Sequence, residues 1–96
     1  MGDLVVGQKV ILKRNMMNEH EGSVGFVYET YPDFDDSGKM GASIIFQRGS
    51  YDGFSAQEQS LFLEAGRVDQ RYAMYEFKNV NQVLLDYRSG YWDFIR

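Results

Sequence analysis

The stretch YPDFDDSGKM, residues 31–40, holds the densest oxygen chemistry in the chain: three aspartates, a serine and a glycine in one short loop. Hard cations take such ligands. Asp33, Asp35 and Ser37 fall at positions 1, 3 and 5 of the twelve-residue calcium-loop pattern, with Gly38 at its position-6 turn. Position 12 needs a bidentate glutamate and is Ile44. The flanking runs read as strands where that pattern has helices, so the loop is expected to be an acidic hairpin connection and no metal site. His20, in EHEG, is the single histidine, and the chain has no cysteine, which excludes disulfides and thiolate ligands. In an extended segment Glu19 and Glu21 would share a side that His20 does not. No serine sits in a nucleophile elbow, and RGSYDG lacks the lysine and the following helix of a phosphate-binding loop. The chain is therefore expected to be no enzyme, with no catalytic residue and no cofactor.

Aromatic residues are the second resource. Seven Phe, seven Tyr and one Trp make up 16% of 96 residues. A domain of this size buries roughly eight to ten large side chains, so some rings are left over. Tyr31, Phe34, Tyr51, Phe54, Tyr91 and Trp92 all fall in loops or at strand ends. They either pack a C-terminal addition onto the core or form an exposed surface bordered by Asp33, Asp35, Asp36 and Asp52. Tyrosine and tryptophan anchor interfaces, and an acidic rim speeds encounter with a basic partner.

Net charge is −4, and residues 19–36 carry Glu19, Glu21, Glu29, Asp33, Asp35 and Asp36 with no lysine or arginine among them. Phosphate binding rests on clustered cations, so nucleic acid is the less favoured partner. If it binds, Lys9, Lys13, Arg14 and Arg48 are the residues to do so. No apolar run reaches the ~20 residues of a membrane span, and no signal-peptide core is present, which points to a cytoplasmic chain.

The elements that must position these residues follow from periodicity. VGQKVILKR alternates Val10 and Leu12 with Lys9 and Lys13, the pattern of a strand. SVGFVYETY is the strongest strand, with Gly25 expected to mark a bulge or bend. ASIIFQ-RGS-YDGFS reads as a hairpin. Ser55 and Glu58 fit a capping box, expected to start a single 3₁₀-like turn before a short strand carrying Leu61 and Leu63. RYAMYEFKN alternates as another strand. Val80, Val83, Leu84 and Tyr87 form a helical stripe, although alternation through Val83, Leu85 and Tyr87 also fits a strand. YWDFI closes the chain as an aromatic plug or an edge strand.

This order over residues 5–65 resembles an SH3-like barrel, and EGSVGFVYE is similar to the G-x-x-G-x-V core of its KOW-like variant, with Gly22, Gly25 and Val27 in place. The whole resembles small bacterial or phage proteins of unassigned function. The resemblance implies a mainly β single domain over residues 1–96: a barrel core of about five to six strands at 5–65 and an extension of strand and short helix at 66–96. KOW modules typically contact RNA or proteins bound to the ribosome or polymerase, but the residues around these glycines are acidic. Three roles are carried forward. The first is a protein-interaction module whose acidic, aromatic surface binds a basic, nucleic-acid-handling protein, as a phage or mobile-element inhibitor would. The others are an RNA- or DNA-binding module, and a structural protein that pairs its edge strands into a homodimer instead of remaining a monomer.

Overall fold

The computed structural model describes residues 3–16 and 18–95. The alternating and β-branched runs fold as β1 (Gln8–Leu12), β2 (Val24–Pro32), β3 (Met40–Phe46), β4 (Tyr51–Phe54) and β5 (Leu63–Val68). Two helices are added, α1 (Ala56–Phe62) between β4 and β5, and α2 (Val80–Arg88) near the C-terminus. All strand pairs are antiparallel in one sheet of order β4-β3-β2-β1-β5, so the fold is mainly β.

The middle of the sheet is covered on both faces, which is why β2 and β3 read as near-continuous buried runs. On the inner face Val10, Leu12, Val27, Ala42, Ile44, Phe46, Phe54 and Leu63 form one cluster. On the outer face Phe26, Tyr28 and Ile45 meet Tyr72, Val83 and Trp92 from the C-terminal segment, with Tyr75, Phe77, Tyr87 and Phe94 packed around them. The extension therefore supplies the apolar cover that a lone five-stranded sheet lacks. Gly7 marks the crossing point. Its φ of 87° suits glycine, and a Cβ there would stand 2.6 Å from the Ala73 backbone nitrogen.

Gly25 does not mark a bulge. It pairs regularly with Val10 and Phe46, and the register shift of β2 lies between Val27 and Glu29. The glycine is required for space, because a Cβ would meet Ile44 Cγ2 at 2.6 Å and the Phe46 ring at 2.9 Å. Gly25→Val is expected to cost more than about 2 kcal/mol in urea unfolding, since the packed core cannot yield to the added carbons.

Four expectations about secondary structure meet different outcomes. The Ser55–Glu58 capping box is present, but α1 runs two turns, not one, and carries Leu61 and Phe62. Buried Gln59 holds the longer helix by donating to the carbonyls of Met40 (3.0 Å) and Phe54 (3.1 Å). Leu61 is therefore exposed, and only Leu63 enters the core. RYAMYEFKN is not a strand. Tyr72 N donates to Asp69 O and Tyr75 N to Tyr72 O, so successive turns bring Tyr72 and Tyr75 toward the sheet while Met74 stays outside. A three-residue turn spacing replaces the two-residue alternation because the aromatic rings dock on the outer face. Residues 80–88 are helical, capped by Asn79, whose side chain accepts from Gln82 N, and followed by Gly90 at φ 77°. YWDFI is the aromatic plug: Trp92 lies 5.2 Å, ring to ring, from both Tyr75 and Tyr91.

Candidate functional site

The acidic loop is closed by hydrogen bonds. Asp33 occupies its first position, and both of its carboxylate oxygens accept hydrogen bonds. Oδ1 accepts from Asp35 N (2.9 Å), and Oδ2 accepts from Ala56 N (2.9 Å) at the start of α1. The backbone closes beneath it through Asp33 N to Lys39 O and Lys39 N to Asp36 O, both 3.0 Å. The N–H groups of Ala56 and Asp35 hold the Asp33 carboxyl below its ordinary range. Asp33 thus anchors the loop. Phe34, the next residue, is 99% exposed. A ring on a pinned loop, fully in water and flanked by Asp35 and Asp36, contributes nothing to the core.

Beside the loop, the part of the outer face beyond the C-terminal cover is built from Glu29, Tyr31, Ser43, Tyr51 and Gly53. Pairing in β2–β3–β4 places them together: Glu29 opposite Ser43, Tyr31 opposite Gly41, Ser43 opposite Gly53, and Ile45 opposite Tyr51. The Tyr31 ring lies across Gly41, where a Cβ would come within 2.3 Å of it, and its hydroxyl reaches over Gly53. Ser43 Oγ donates to Glu29 Oε1 (3.1 Å) and lies beside the hydroxyls of Tyr28 and Tyr31. Burial pushes both phenols up, the neighbouring Ser43 hydroxyl opposes this, and the Glu29 charge adds to the rise. The result is a flat tyrosine platform with an acidic edge.

Tyr31, Asp33, Phe34, Asp35, Asp36, Tyr51 and Asp52 thus lie on the loop, the platform or the adjoining edge strand, with Tyr51 46% exposed. Phe54 and Trp92 do not belong to the surface. Phe54 is 2% exposed because the β4 alternation turns it into the inner core, and Trp92 is 5% exposed because it plugs the extension onto the sheet. The four cations do not gather. Lys9 Nζ donates to Ile95 O and sits over the Phe26 ring. Lys13 Nζ donates to Ser60 O (2.8 Å), and the Arg14 guanidinium covers Phe62 at 5.9 Å. Arg48 stands apart on the β3–β4 turn.

One acid escaped sequence reasoning. Glu19 does not share an exposed side with Glu21; it is 1% exposed, while Glu21 and His20 face solvent. The β1–β2 loop folds over the β3–β4 turn, and Glu19 Oε2 accepts from Ser50 N at 3.4 Å. Nothing local in EHEG distinguishes Glu19 from Glu21; only the meeting of two distant loops does.

The depressed Asp33 carboxyl has a counterpart in Asp69, lowered by hydrogen bonds from Arg71. A depressed folded value contributes stability above the ordinary value of 3.8 and loses it as pH falls through the folded one. The melting temperature is therefore expected to drop below pH 3.8, less steeply in Asp33→Asn. At the other end Tyr28, Tyr31, Tyr75 and Tyr91 are raised, chiefly by burial. Their contribution holds below their ordinary value of 10 and fades as pH rises above it.

Among the described residues no group of three or more His, Cys, Asp or Glu is placed to hold a metal ion, and no helix is long and apolar enough to cross a membrane. No family model, curated protein or solved structure matches the chain.

Proposed function

We propose that this protein is a small, non-enzymatic interaction module of SH3-like type. Its Phe34 loop and tyrosine platform bind a basic segment of another protein. The strand order β5-β1-β2-β3-β4, with a short helix between β4 and β5, supports the fold assignment. The observation that carries the function is Phe34: a fully exposed ring on a loop whose conformation is fixed by Asp33 before any partner arrives. Pre-organisation spares the ordering cost of binding, and aromatic residues are frequent interface anchors. Asp35 and Asp36 on the loop and Glu29 on the platform supply the charge that draws a cationic partner. Proteins that handle nucleic acid carry such surfaces, which makes them the fitting partner class.

Selection from a random peptide display library tests this without knowledge of the natural partner. Enriched peptides are expected to place lysine or arginine beside an apolar residue and to lose binding to Phe34→Ala. Enrichment of neutral or acidic peptides, or binding indifferent to Phe34, would contradict the proposal.

A further inference from the structure

A cavity of about 260 Å³ opens where the β1–β2 loop meets the β3–β4 turn, lined by Met16, Asn18, Glu19, Phe46, Ser50, Tyr51 and Asp52. Phe46 and Glu19 are buried and form its floor, while Asn18, Tyr51 and Asp52 are exposed and form its rim. Glu19 Oε2 is engaged by Ser50 N, but Oε1 is fully buried and has no hydrogen-bond partner among the described residues. A buried acceptor left unmade is costly, and one belonging to a carboxylate more so, which calls for a functional reason. Among the described residues the only side-chain ion pairs are those of Arg71, so neither Glu19 nor Asp52 is neutralised by a neighbouring cation. Arg48 lines the adjoining cleft with Asn18, Ser50 and Tyr51 and makes no such pair.

We infer that this cavity is a receptor for one arginine side chain of the basic partner segment. Two carboxylates at different depths, Glu19 on the floor and Asp52 on the rim, match a guanidinium that donates in several directions. Apolar and aromatic walls from Met16 and Tyr51 match its aliphatic stem and planar face. Arginine fits better than lysine, because its charge is more weakly hydrated and stacks on rings, whereas an ammonium gives up a stronger hydration shell on burial. The cavity lies at the opposite end of β3 from the Phe34 loop, about 20 Å away along the strand. A partner segment of about six extended residues spans the two. The inference rests on the proposed interaction role and adds the residue that the second contact recognises.

The test is an amide NMR titration with N-acetyl-arginine amide, its lysine counterpart, and the neutral isostere N-acetyl-citrulline amide. The arginine compound is expected to give saturable shifts at Asn18 and Ser50–Asp52, at least tenfold tighter than citrulline and tighter than lysine. Glu19→Gln, checked to retain its melting temperature and dispersed spectrum, is expected to lose that preference. Asp52→Asn on the exposed rim offers a second variant that leaves the core untouched, and it is expected to weaken arginine binding as well. Equal response to citrulline or lysine, unchanged arginine binding in both variants, or no saturable shift would overturn the inference. Display-selected peptides separate the two levels. If they depend on Phe34 but not on Glu19 or Asp52, the arginine receptor is rejected while the interaction role stands. If they depend on neither end, both fall.

Discussion

Trp92→Ala is expected to destabilise the protein by about 3–5 kcal/mol, the range for removing a large buried aromatic side chain. A domain of this size has roughly 5–15 kcal/mol in total, so the variant is expected to be partly unfolded at moderate temperature. The effect is large because Trp92 belongs to the cluster that covers the outer face of β2 and β3. It packs on Tyr75 and Tyr91 and shares that cluster with Phe26, Tyr28, Ile45, Tyr72 and Val83. Loss of the indole leaves a cavity under α2 that the neighbouring rings cannot fill without abandoning their contacts. Urea unfolding followed by far-ultraviolet circular dichroism measures the change. In the native chain, Trp92 is the single tryptophan and its fluorescence reports the docking of the extension directly. A cost below about 1 kcal/mol would mean that the C-terminal segment is not part of the cooperative core.

Phe34→Ala has the opposite signature. Stability is expected to stay within about 0.5 kcal/mol, because the ring is exposed and nothing packs on it. Affinity for a selected basic peptide is expected to fall by about 2 kcal/mol or more, roughly thirtyfold, as for a central interface anchor. Asp33→Ala should weaken binding too, but through loss of the two hydrogen bonds that fix the loop. Calorimetric titration beside a thermal melt separates the cases: Phe34→Ala changes binding alone, and Asp33→Ala changes both.

Much of the fold was legible because its signals are local. Strands β1 to β4, the hairpin turn at 47–50, the capping box at Ser55 and the helix stop at Gly90 are set by alternation and turn chemistry within a few residues, whereas β5 starts at Leu63, past the Leu61 expected in it. The segment 71–79 was not legible. Its alternation of apolar and polar residues is genuine, but docking of Tyr72 and Tyr75 on a distant sheet face overrides it. Trp92 was misplaced for the same reason, because a ring near a chain end gives no local sign of what covers it, whereas the β4 alternation does mark Phe54 as inward. Tyr51 and Phe34 look no different in sequence, yet stay exposed. Ile44 stands where the calcium pattern of the acidic loop needs a bidentate glutamate. The loop's role as a staple between β2 and α1 needed the Asp33 to Ala56 bond, across 23 positions. Glu19 depended on the meeting of two loops that no periodicity encodes.

The central claim is that the contact surface runs from the Phe34 loop across the tyrosine platform to the Glu19 cavity, while the C-terminal segment is structural cover. Amide NMR mapping with a display-selected basic peptide tests it most directly. Shifts are predicted at Asn18, at residues 29–39 and at 50–53, with residues 72–95 unmoved except where α2 touches the Gln47 turn through Tyr87. Shifts centred on 72–95, or on Lys13, Arg14 and α1 with the Phe34 loop silent, would contradict it.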